Sequence, residues 1–231
     1  MSFEDLASEI KDRLRGSNGD RPRRDEWTLA DKVYSLAERS IEGEERSRLA
    51  SAVLLLLGEM MLCPVSREAV LEWPAGLFWV ATRVSWTAGE QETLVQRVQA
   101  LIPFSRWWPT GEAFDGLGSP RLEFLRLVRF VQLARVTDFD TQVFWEMLAS
   151  PFLGPHESGA VMGLIASCGF EADAMEYLPG NEAQRDQVFR AFMLEYERFG
   201  GDSKKIAQLL PRAIPESPAW VATAIDWIGV R

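Results

Sequence analysis

The chain's single histidine, His156 in LGPHESGA, is the side chain best suited to proton transfer near neutral pH. It follows Pro155 in the first turn of an expected helix, where an imidazole either points into a cleft or sits on the surface. A nucleophilic triad needs partners assembled by the fold, and Ser158 is too close along the chain to signal one. Zinc chemistry has little to draw on, because Cys63 and Cys168 are far apart and no Glu-x-x-His pair occurs. Asp138 and Asp140 in TDFDT come closest to a carboxylate pair for magnesium, and they fit helix capping and first-turn acidity equally well. The glycine-bearing turns GSNGD and GLGSP lack the lysine and the preceding strand of a phosphate loop. Carboxylates with nine tryptophans as stacking platforms would suit a glycosidase, but tryptophan at helical spacing is more often core. No catalytic residue, metal site or cofactor is therefore expected. A small carboxylate-dependent hydrolase or transferase, with or without His156, stands as the alternative.

Three surface features point instead to protein binding. The segment FSRWWPTGEAFDGLG reads as a long loop between helices, and it carries Phe104, Arg106, Trp107, Trp108 and Phe114. Aromatics with arginine have the composition of an interface hot spot, while a loop folded back to plug the helices would use the same rings. Residues 171–202 hold eight acids against three arginines, and Glu195 and Glu197 on this stretch would steer a basic partner. The third feature is the amphipathic N-terminal helix described below, suited to lying in a groove of another protein or to docking on its own body.

Composition bounds the rest. The 231 residues are 47% hydrophobic and 26% charged, enough for a sizeable core. A formal charge of −9 argues against nucleic acid and against anionic lipid surfaces as partners. It favours a protein with a basic patch. Two cysteines, each in an apolar run (LLLLGEMMLC and VMGLIASC), read as packed thiols from a reducing cytoplasm. The opening MSFEDLASEIKDR does not resemble a signal peptide, and the apolar run 49–63 is interrupted by Gly58 and Glu59 and too short to span a bilayer. Arginine outnumbers lysine, consistent with a G+C-rich bacterial source.

The elements that must position these residues are helices throughout. Residues 1–15 form a tethered amphipathic helix with Phe3, Leu6, Ala7, Ile10 and Leu14 on one stripe. Residues 16–25 form a linker, and residues 26–231 a single helical domain. Leu29, Val33, Leu36 and Ala37 make one apolar face. Leu49, Val53, Leu56, Leu57, Met60 and Met61 make another, on a helix apolar nearly all round and so expected to be central. A segment from Ser66 to Trp86 should kink or break at Pro74. Ser119-Pro120 and Ser217-Pro218 read as an N-cap followed by first-turn proline. Thr137 and Asp140 fit a capping box, Gly154-Pro155 opens a helix, and Asn181 to Phe199 is a long helix ended by Gly200-Gly201.

No strand signal is present. The octets WVATRVSW (79–86) and WVATAIDW (220–227) echo one another, but their surroundings do not align. Helix starts near 26, 66, 119, 156 and 181 are too unevenly spaced for a clean solenoid repeat of about 34–47 residues. The expected fold is an all-α, irregular array of about ten helices, HEAT-like or an orthogonal bundle. The expected function is a non-enzymatic adaptor, inhibitor or regulatory subunit. By analogy, a bacterial conflict or immunity system would suit it.

Overall fold

The computed structural model describes residues 43–62, 73–106, 108, 110, 119–134 and 141–229. The N-terminal helix and linker, the 29–37 face, Cys63, Trp107, Phe114, Asp138 and the Thr137–Asp140 box lie outside them. Ten helices and no strand are found among the described residues, so the fold is all-α. None of these helices is long and apolar enough to cross a membrane. The chain divides into two compact units between Asp138 and Phe139, a point at which the sequence reading drew no boundary.

The first unit contains α1 (Gly43–Leu62), α2 (Trp73–Ala81), α3 (Ala88–Ser105) and α4 (Pro120–Ala134). The start of α3 is a full capping box, with Thr87 Oγ1 accepting from the Glu90 backbone N–H and the Glu90 side chain accepting from the Thr87 N–H. Arg46 on α1 pairs with the same Glu90 carboxylate at 2.6 Å and donates to the Ser85 carbonyl. Leu49, Val53, Leu56, Leu57 and Met60 are buried as the periodicity requires. Leu55 is 45% exposed, however, so α1 is one-sided and not central. The central helix is α4: every residue from 121 to 128 is buried, including Arg121, Glu123 and Arg126. Three charged side chains hid that role, since a hydrophobicity pattern counts them as surface. Within α4 the Arg126 guanidinium pairs with Glu123, which makes their burial tolerable. Ser119 caps the helix through a bond from Leu122 N–H, and Pro120 opens it, as expected. Pro74 lies in the first turn of α2, where proline lacks nothing a helix needs.

The second unit contains α5 (Gln142–Leu148), α6 (Pro155–Ser167), α7 (Glu171–Met175), α8 (Glu182–Arg198), α9 (Ser203–Ala213) and α10 (Pro218–Gly229). Its axis is α6 laid on α8. Residues 159–166 of α6 are all buried, and α8 presents Val188, Phe189, Phe192 and Tyr196. Gly159 and Gly163 make the approach possible: a β-carbon at Gly163 would lie 2.6 Å from the Phe192 carbonyl oxygen. Asn181 caps α8 through Gln184 N–H, and Gly200, at φ +81°, follows its end. Phe189 stands edge-on to Trp220 of α10 at 5.3 Å. The octet echo is not structural, since 220–227 lies within α10 whereas 79–86 runs off the end of α2.

Candidate protein-binding site

Of the residues singled out from sequence, Phe104, Arg106 and Trp108 belong to the first unit and Glu195 and Glu197 to the second. Phe104 belongs to α3, which runs through Pro103 to Ser105, and is half-buried. Arg106 is exposed at the C-cap. Trp108 corrects the hot-spot expectation: it is 5% exposed, stacked on Phe78 at 5.1 Å and edge-on to Phe124 at 4.8 Å. It plugs the first unit. A large flat ring gains more from two aromatic neighbours than from water.

Glu195 is corrected likewise. It faces the α6–α8 contact, is 4% exposed and pairs with Arg198 at 3.5 Å. Glu197 is half-buried. Much of the acidic 171–202 stretch serves internal roles: Asp186 pairs with Arg190 at 2.8 Å, Asp202 caps α9, and Glu171 is buried. His156 is exposed at the start of α6, while the adjacent Glu157 is buried. Cys168, expected to be packed away, is half-buried at the α6 C-cap. Among the described residues no three His, Cys, Asp or Glu side chains come together as a metal site would need.

A different face emerges on the second unit. In α5 the stripe Val143, Phe144, Met147 and Leu148 is buried, and Trp145 falls off it onto the surface side. At the end of α6, Gly169 adopts φ +95°, a left-handed conformation that turns the chain sharply. That turn delivers Phe170, whose ring stands edge-on to Trp145 at 6.3 Å. The short α7 then closes with tight bonds, including Tyr177 N–H to the Ala174 carbonyl, and brings Tyr177 to 5.8 Å from Trp145. Phe170 is 39% and Tyr177 51% exposed. Asp173 and Glu176 are exposed between them in the chain, and Glu146 beside Trp145. From Arg135 to Arg185 the sequence contains no other lysine or arginine.

Compared with protein-family models, curated proteins and solved structures, the chain matches none.

What holds this face is an ion pair between the buried Glu171 carboxylate of α7 and the exposed Lys205 of α9. Glu171 accepts from Lys205 Nζ at 2.6 Å and from the Tyr196 hydroxyl at 3.1 Å, tying α7 to α9 and α8. Burial pushes the Glu171 carboxyl up, but the Lys205 bond, a backbone N–H and Tyr196 together outweigh it and hold it below the usual carboxylate range. Burial and the Glu171 charge push Tyr196 up to about 12. A carboxyl depressed in the folded state stabilises above its unfolded pKa, and that contribution is lost as pH falls through the folded value. Glu171→Gln is therefore expected to lower the thermal midpoint at pH 7 and to flatten its decline between about pH 5 and about pH 3. Parallel melting curves for wild type and variant across that range would rule out this role.

The sequence reading missed Trp145, Phe170 and Tyr177. Two signals were present: an aromatic off the buried stripe of its helix, and the long run without a cation. Neither says that the three rings meet.

Proposed function

We propose that the chain is a non-enzymatic protein-binding module, an adaptor, inhibitor or regulatory subunit, working through the aromatic face of its second unit. The observation that supports this is the exposure of Phe170 and Tyr177 around Trp145, with the exposed acids Glu146, Asp173 and Glu176 close to them in the chain. Large rings left half in water are stabilised by a partner that covers them. The partner is a protein with a basic patch, neither nucleic acid nor membrane. The setting that suits the composition is a bacterial cytoplasm, and a conflict or immunity system fits by analogy.

The test is affinity capture with the whole chain as bait from cells that make it, beside a Phe170→Ser/Tyr177→Ser variant. Wild type is expected to retain a partner in fixed proportion, and the variant to lose at least about tenfold of the affinity while keeping its helix content and melting midpoint. Equal capture by both proteins would refute the assignment of this face. Turnover of a substrate by the chain would refute the class.

A further inference from the structure

Elsewhere three of the protein's half-buried tryptophans lie under its own guanidinium groups, whereas Trp86 is held by an indole N–H bond to the Ala81 carbonyl. Arg83 lies over Trp79 at 4.0 Å, Arg185 over Trp220 at 5.3 Å and Arg190 over Trp227 at 5.6 Å. Each pair satisfies the negative face of a ring with a weakly hydrated, planar cation. Trp145 is equally large and equally half-exposed, and among the described residues no guanidinium or ammonium lies over it, Phe170 or Tyr177. Lys205 of α9 is bound to Glu171 of α7 at 2.6 Å. The acids at hand, Glu146, Asp173 and Glu176, are exposed and make no salt bridge among the described residues.

Resting on the protein-binding reading above, we infer that this face accepts an arginine-bearing segment of the partner. A guanidinium from outside takes the place over the rings that the chain's own arginines occupy at Trp79, Trp220 and Trp227. Flanking carboxylates on α7 receive its N–H groups, and an aliphatic neighbour of the arginine covers Phe170. Charge complementarity selects this occupant. An acidic segment would be repelled by Glu146, Asp173 and Glu176, and a wholly apolar one would leave those carboxylates without an exchange for lost water.

The experiment uses the full chain with 15N-labelled tryptophan and the peptide acetyl-Arg-Leu-Arg-Leu-amide. Its partner probe replaces both arginines by citrulline, which keeps the shape and removes the charge. The Trp145 indole N–H signal is identified by its loss in Trp145→Phe. The arginine peptide is expected to shift that signal saturably, and the citrulline peptide to bind about tenfold more weakly or worse. Asp173→Asn/Glu176→Gln should bring the arginine peptide close to the citrulline value, with the melting midpoint unchanged. No shift with the arginine peptide, or equal binding of the two peptides, would overturn the inference. Partner capture sensitive to Phe170→Ser/Tyr177→Ser would in that case still support a protein-binding face, so the two failures are distinguishable.

Discussion

Trp108→Ala is expected to cost the first unit about 3–5 kcal/mol, the range for truncating a fully packed aromatic. Trp108, Phe78 and Phe124 form a closed trio, with Phe78 and Phe124 also in contact at 5.2 Å. Phe78 and Phe124 have no exposed surface and Trp108 almost none. Removing the indole leaves a void between α2 and α4 that neither remaining ring can fill without leaving its own contacts. Domains are stable by only about 5–15 kcal/mol, so a loss of this size should lower the urea midpoint severely. Trp108→Phe retains one ring and should lose less than half as much. A change below about 1 kcal/mol for the alanine variant would mean that the indole is not core and would return it to the list of surface candidates. The milder variant also serves the binding question: it should capture a partner as well as wild type does.

Gly163→Ala is expected to destabilise the second unit by about 1–3 kcal/mol, against the direction that helix propensity predicts. In an open helix the change would gain up to about 1 kcal/mol. Here the new methyl would stand 2.6 Å from the Phe192 carbonyl oxygen, 2.8 Å from Glu195 Cβ and 2.9 Å from the Tyr196 nitrogen. Two of these are backbone atoms of α8, which cannot turn aside as a long side chain can. The helices must separate, and the Phe192 and Tyr196 rings, stacked 5.9 Å apart, sit on the residues displaced. Gly159→Ala meets the Val188 carbonyl oxygen of α8 and should behave alike. Gly89→Ala on α3 meets nothing within 4 Å and should be neutral or slightly stabilising. The same chemical change is thus expected to destabilise at Gly159 and Gly163 and not at Gly89. Thermal denaturation of the three variants checks it, and a stabilised Gly163→Ala would mean that α6 and α8 do not approach this closely.

Much of the helix punctuation was decided within a few residues. Pro120, Pro155 and Pro218 open helices, Asn181 caps one, and Gly200 follows the end of one, because each acts on backbone groups beside it in the chain. The spacing of Leu94, Val95, Val98, Leu101 and Ile102 predicts one inward stripe, and the first four are buried while Ile102 is half-buried. The all-α class followed from these local signals. Trp108 was different, since a tryptophan in a polar-flanked segment suits a surface and a core alike, and Phe78 and Phe124, distant in sequence, decided for the core. The same holds for Gly159 and Gly163, whose spacing is visible but whose necessity depends on the backbone of α8. Trp145, Phe170 and Tyr177 become one face through the positive-φ turn at Gly169 and the ion pair that anchors α7. Local hydrogen bonding is written in neighbouring residues, whereas burial and the meeting of side chains depend on contacts between segments far apart, which tertiary packing alone sets.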